Sequence, residues 1–218
     1  MNSAFIDAKI EAEASVYYRN SRQNLALTDA IEAVETVVNA HGIPKNIFSV
    51  RQKTLLHIAR LAHFLNVPLN KLERLEGVSV LDIACGRTAN TDPNFSPWFC
   101  RVAHKLGCQV TGVDIPVSDE EKAAGVDSES QEPWTFIPLD LRDPNVLFEI
   151  PENRFDVAHS TYFIDNKHPR DDDPVFRDHF GDDFHAYNQA KKGIVWHMNR
   201  VIKPNGVVII NDSKRDKF

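Results

Sequence analysis

Cysteine is scarce in this chain: three among 218 residues, at positions 85, 100 and 108. They form no CxxC pair and no disulfide ladder, so they read as reduced thiols of a cytoplasmic protein. A basic excess is also missing. The chain has 25 Lys and Arg against 31 Asp and Glu, a net charge of −6, which speaks against nucleic-acid phosphates as the main partner. No apolar run approaches the ~18 residues of a membrane span. The start, Met1-Asn-Ser-Ala-Phe-Ile-Asp7, has neither a basic n-region nor a long apolar h-region, so no signal peptide is expected. Internal repeats and low-complexity tracts are absent as well.

What is present is ordinary for a soluble globular protein: 42% hydrophobic and 26% charged residues. That suffices for one good core with a helical extension. The charge is uneven. Residues 1–76 carry 9 Lys/Arg and 8 Asp/Glu, and residues 77–218 carry 16 and 23, so the acidity lies in the second part. The pattern changes at the same place. Over 4–76 apolar residues recur at helical spacing: Ile6, Ile10, Ala14 and Tyr17, then Ile31, Val34, Val37 and Val38, then Leu55, Ile58, Ala59, Ala62 and Leu65. Ser49 to Gln52 reads as a capping box that opens the third helix, and Pro68 as its stop. The expected division is a helical extension over 1–76 and an α/β domain over 77–218.

From Val78 onward strands alternate with helices, which predicts a parallel sheet. The expected strands are 78–83, 109–114, 134–139, 155–160 and 207–210. A first crossover helix capped by Ser96-Pro97 ends at Gly107. A last, longer helix faces inward through Tyr187, Ala190, Ile194, Met198 and Val201, and a turn at Pro204-Asn-Gly206 leads into strand five.

The run Val78-Ser-Val-Leu-Asp-Ile-Ala-Cys-Gly86 carries the most chemistry. An apolar strand ends at Asp82 and enters a turn of small residues that let backbone approach a ligand. A second strand, Gln109-Val-Thr-Gly-Val-Asp114, ends in another carboxylate, suited to ribose hydroxyls. Two such strands make a site for an adenosine-containing cofactor. A nicotinamide site would need G-x-G-x-x-G after strand one, which is absent.

Five segments fall in order: Val80 to Gly86, Val110 to Asp114, Phe136-Ile-Pro-Leu-Asp140, Phe155-Asp-Val-Ala-His-Ser160 and Met198 to Ile210. Together they resemble the class I S-adenosylmethionine-dependent methyltransferases over residues 78–212. The resemblance implies a three-layer Rossmann-like α/β fold with parallel strands in the order 3-2-1-4-5, and S-adenosylmethionine as cofactor. It implies that Asp82 lies near the amino-acid part of that cofactor and that the backbone of Ala84, Cys85 and Gly86 passes beside it. Asp114, followed by Ile115, would accept from the ribose hydroxyls. Asp140 would bind the adenine amino group, with the Leu141 N–H toward the ring. Ser160 would lie near the methionine moiety.

This chain departs from that pattern in three places. Ala84 and Thr88 stand where the family usually has glycines, so Gly86 alone remains. Asp82 and Asp114 are 32 positions apart, against about 20 from a glycine turn to its acid in related folds; either Asn90 or Thr91 in the extra loop replaces glycine backbone contacts, or the loop fills the pocket. The family sheet usually continues beyond strand five; here the N-terminal helices or a second subunit are expected to cover that edge.

His159 is the candidate base, since its unperturbed pKa lies near neutrality; a packed strand histidine is the equal alternative. Tyr162 is the second candidate at the acceptor, as a pocket-lining ring. The stretch 165–185 holds seven Asp and three His. No metal-ligand spacing occurs there, so no metal is expected, and a solvated lid is the reading preferred. The expected function is methyl transfer to a small-molecule acceptor, with neither nucleic acid nor membrane as partner. The alternative is a methyltransferase-like binding or regulatory protein without turnover.

Overall fold

The computed structural model describes residues 47–87, 96–115, 132–161, 180–181 and 183–211. The helices expected over 4–41, together with Thr88, Asn90, Thr91, Tyr162 and most of the acidic stretch, lie outside the described residues. Helix α1 spans Ile47–Phe64 and a 3-10 segment Leu69–Leu75. Then come β1 (Ser79–Ile83), α2 (Trp98–Lys105), β2 (Gln109–Asp114), β3 (Thr135–Pro138), a 3-10 segment Pro144–Glu149, β4 (Phe155–Thr161), α3 (Phe184–Val201) and β5 (Ile202–Asn211).

The five strands form one sheet in the order β3-β2-β1-β4-β5, and every neighbouring pair is parallel. This is the three-layer α/β arrangement expected. Sheets of this kind are covered on both faces, so their strands are apolar at consecutive positions. β1 shows why: Val80 packs into the cluster shared with α1 and α2, while Leu81 and Ile83 pack into the cluster shared with α3. Each such side chain contributes about 1.5–3 kcal/mol by leaving water.

On the first face, Leu55, Ile58, Leu61 and Ala62 of α1 and Leu72 and Leu75 join Val102, Val110, Val157 and Ile209. The segment expected as an extension therefore contributes, from Leu55 onward, to the core of the sheet itself. On the second face, Ile194, Met198 and Val201 of α3 meet Leu147, Ile150 and Ala158. All five inward positions expected on α3 are buried, and His197 is buried with them. No described helix is long and apolar enough to cross a membrane.

Several boundaries differ from expectation. Ser49 stands inside α1 rather than at its cap. α1 ends before Pro68, because Asn66 takes φ +56°; its N–H donates to the His63 carbonyl (3.1 Å) and the Val67 N–H to that of Ala62 (2.8 Å). These bonds are a Schellman stop with Asn in the left-handed position. α2 ends the same way, at Gly107 as predicted, and its N-cap is Pro97 with no side-chain cap. β5 starts five residues early. Ile202 already pairs with Phe155, and the next paired residues are Val207 and Val157. The turn at 204–206 is thus a bulge inside the strand, with Asn205 at φ +69°.

Candidate cofactor site

In open α/β sheets, ligands bind beyond the carboxyl ends of the strands where the strand order reverses. Here that point lies between β1 and β4. The turn after β1, Ala84-Cys-Gly-Arg87, holds a single glycine. Ala84 has φ +58° and Gly86 φ +85°, so the alanine occupies a left-handed conformation that costs an L-residue roughly 1–2 kcal/mol. The turn is tied to β2. The Cys85 N–H donates to the Val113 carbonyl (3.2 Å), and the Gly86 N–H donates to Asp114 Oδ2 (2.7 Å). β2 approaches closely at Gly112, where a Cβ would stand 2.9 Å from Cys85 Sγ and 3.4 Å from Cys100 Sγ.

Asp114 therefore holds the turn. Its other oxygen accepts from the Ile115 N–H (2.8 Å), and its backbone carbonyl receives the Leu139 N–H (2.9 Å), which brings the end of β3 alongside. Burial pushes its carboxyl up from the ordinary 3.8 to about 6, against the N–H groups of Ile115 and Gly86 and the nearby Arg87 charge, all of which pull it down. Asp114, Gly86 and Ile115 thus meet at one point.

The remaining expected residues fall in different settings. Asp140 follows β3, and its carboxylate pairs with the exposed guanidinium of Arg142, Nε lying 2.8 and 2.9 Å from its two oxygens. Leu141 is buried in the second core cluster. Ser160, the last residue but one of β4, is fully buried, and its Oγ has no hydrogen-bond partner among the described residues.

Asp82 turns inward. Its side chain is 1% exposed, with Oδ1 2.6 Å from His159 Nδ1 and Oδ2 accepting from the Cys100 thiol (3.3 Å). His159, the candidate base, is fully buried. Its Nε2 lies 3.2 Å from His57 Nδ1, and its ring stacks on Phe99 at 3.9 Å between centroids. Both nitrogens are thus engaged inside the protein. His57 and Cys100 escaped the sequence reading. The signal available for His57 was its place beside Leu55 and Ile58 on the buried side of α1, where a histidine needs a polar partner.

Among the described residues no group of three or more His, Cys, Asp or Glu could hold a metal ion. No protein-family model and no curated protein matches this chain. Among solved structures, the PH0226 protein of Pyrococcus horikoshii OT3 is similar at 20% identity over 77% of this chain and 55% of that one, with a TM-score of 0.44. The CurJ carbon methyltransferase is similar at 12% identity over 96% of this chain and 51% of that one, with a TM-score of 0.37. The chain spans about half the length of each of these structures.

Proposed function

We propose that this chain binds S-adenosylmethionine at the carboxyl end of its sheet and transfers the methyl group to a small-molecule acceptor. Asp114 carries the reading. Its carboxylate accepts one backbone N–H on each oxygen, and a carboxylate has about four acceptor directions, so two remain for ribose hydroxyls. The Oγ of Ser160, unpartnered among the described residues, suits a polar group of the amino-acid part. The Asp140–Arg142 pair is exposed, and such a pair holds its partners weakly, so Asp140 is able to exchange Arg142 for the adenine amino group while the Leu141 N–H faces the ring. The backbone of 84–86 completes the cradle, with Asn90 assigned to the loop beyond it.

The cofactor supplies a methyl already activated on a sulfonium. What remains for the chain is to align the reactants and exclude water, which can contribute ~7–11 kcal/mol. A dedicated base is then unnecessary, and Tyr162, next after β4, is assigned to the acceptor pocket. The excess of acidic residues fits a small acceptor better than nucleic acid, and the cytoplasm suits the three free thiols. β5 pairs only with β4 among the described residues; the N-terminal helices or a second subunit are proposed to cover its other edge.

A binding protein without turnover is the second reading. It is favoured by His159, which has no nitrogen left for an acceptor. Calorimetry with S-adenosylmethionine and S-adenosylhomocysteine tests the site. Micromolar binding by wild type, lost in Asp114→Ala, is expected; no binding by wild type sinks the cofactor reading. Binding with no transfer to any acceptor favours the second reading.

A further inference from the structure

Among the described residues four large hydrophobic side chains are exposed, and the two most exposed are neighbours: Phe148 at 57% and Trp196 at 54%. Their rings meet edge-on at 5.7 Å between centroids. Both rest on His197, a buried residue of α3, whose ring is 4.5 Å from Phe148 and 4.7 Å from Trp196. Arg200, one turn beyond Trp196, lays its guanidinium 5.2 Å from the Phe148 ring centre. Its Nη2 donates to the carbonyls of Leu147 and Ile150, both at 2.7 Å. Gly193 lets the 3-10 segment lie this close to α3, since a Cβ there would collide with Pro144 Cγ. The packing beneath thus fixes the two rings on the outside of the protein, and a partner that meets them loses little entropy in ordering them.

The exposed side of α3 around Trp196 is a straight stripe. His185, Gln189, Lys192, Trp196 and Asn199 are all exposed and recur at three and four residues, so they share one line along the helix. The charges on this face lie at opposite ends of the aromatic pair. Lys192 stands one turn before Trp196. Glu152, 65% exposed, stands beside Arg200, one turn after Trp196, with Oε1 3.7 Å from Arg200 Nη1. Lys191 turns instead toward Tyr187, 4.9 Å from its ring centre, and Arg200 is largely buried, its guanidinium taken up by Phe148 and the two carbonyls. Along the helix axis the face thus runs positive, aromatic, negative. Turned end for end, such a face complements itself: the lysine of one copy meets the glutamate of the other on both sides of the rings.

We propose that a second copy of this chain seats on this face, the two α3 helices running antiparallel about a two-fold axis at Trp196. Such an isologous contact is the commonest arrangement of a homodimer. Tryptophan at its centre with charges at the rim is the usual distribution of interface energy. A membrane or a nucleic acid fits less well, because the face presents negative charge as well as positive. The contact lies on α3 and the 3-10 segment rather than on the edge of β5, and it is independent of what the carboxyl ends of the strands bind. Burying the exposed half of four rings of about 150–250 Å² each removes roughly 300–500 Å² from water, and the polar stripe adds to it. That is less than a standard interface, so the pair is weak, with a dissociation constant on the order of 10–100 µM.

Sedimentation equilibrium on the full chain at low salt reads the dissociation constant. Trp196→Gln and Phe148→Gln are each expected to weaken the pair by about tenfold or more. Phe64→Gln, at an exposed ring of α1, is expected to leave it unchanged. Lys192→Glu and Glu152→Lys should each weaken it about fivefold, since each alters two rim pairs at once, and the two together in one chain should restore it. A wild type that stays monomeric up to about 1 mM overturns the inference, whatever else covers the rings. A dimer that survives Trp196→Gln overturns it as well and puts the contact elsewhere on the chain. A dimer lost with the rings but indifferent to the charge reversals, or not restored by their exchange, overturns the antiparallel pairing. All four positions are exposed, so the variants should fold, as far-UV spectra and melting temperatures will show. Should Trp196→Gln unfold, Phe148→Gln and the charge exchange decide the matter.

Discussion

Asp114 makes the cofactor reading quantitative through pH. Burial raises its carboxyl from the ordinary 3.8 to about 6 in the folded chain. The sign follows from which state holds the proton more tightly. Here it is the folded state, so this group's stabilising contribution is greatest below the unfolded value and is lost as pH rises through about 6. The loss is about two units at 1.36 kcal/mol each, roughly 3 kcal/mol at most. Ribose hydroxyls donate more strongly to the ionised form, because the bond is then charge-assisted. Near pH 7 about nine-tenths of the chains are ionised at Asp114 and near pH 5 about one-tenth, so cofactor affinity should weaken by up to about tenfold over that interval. Asp114→Asn separates binding from folding. It removes the ionisation cost of roughly 3 kcal/mol. It also leaves one of the Gly86 and Ile115 N–H groups without an acceptor, at about 1–3 kcal/mol. The melting temperature should move little while binding collapses. Calorimetry across this pH range, on both proteins, is the assay. An affinity for S-adenosylhomocysteine that is flat in wild type, or equally pH-dependent in the variant, refutes the reasoning.

Three further outcomes are expected. Ala84→Gly should relieve the left-handed strain of roughly 1–2 kcal/mol at an entropy cost of about 0.5–1, raising the melting temperature by ~2–4 °C; a lower melting temperature would mean the alanine methyl is worth more in the core than the strain it causes. Gly112→Ala places a methyl against Cys85 Sγ and should cost about 1–3 kcal/mol in urea unfolding, while weakening thioether binding because Cys85 belongs to the turn. At the opposite end of the sheet, Asp156 is held below the ordinary carboxylate range: burial opposes this, but the Ser79 hydroxyl and N–H and the Lys203 ammonium prevail. Its contribution is present above the ordinary carboxylate pKa and lost as pH falls through the lowered value, so Asp156→Asn should destabilise near pH 7 and matter less in acid, as read by denaturant midpoints.

The strands were legible because a sheet buried on both faces demands consecutive apolar residues, and Val80-Leu-Asp-Ile83, Val110 to Val113 and Phe155 to Ala158 supply them. α3 was legible for the complementary reason: its apolar positions recur at 3.6 residues, and all five face the core. Local chemistry failed at the ends. Ser49 and Ser96 look like caps, yet α1 runs through the first and α2 is capped after the second by Pro97. Nothing near Pro204-Asn-Gly206 reveals that Ile202 is already paired with Phe155; that pairing depends on where β4 lies.

The site divides along the same line. By itself the sequence determined the alternation of strands and helices, the carboxylate at the end of β2 and the small-residue turn facing it, because each follows from a local pattern and the hand of the crossover. Only the tertiary structure decided what Asp82 and His159 do. They are 77 positions apart, and their partners His57 and Cys100 arrive on two helices that the pattern marks only as apolar. A carboxylate at a strand end can face a ligand or the core. Here a thiol and an imidazole, both buried, turn it inward, since a buried polar side chain must meet its hydrogen-bond partners there.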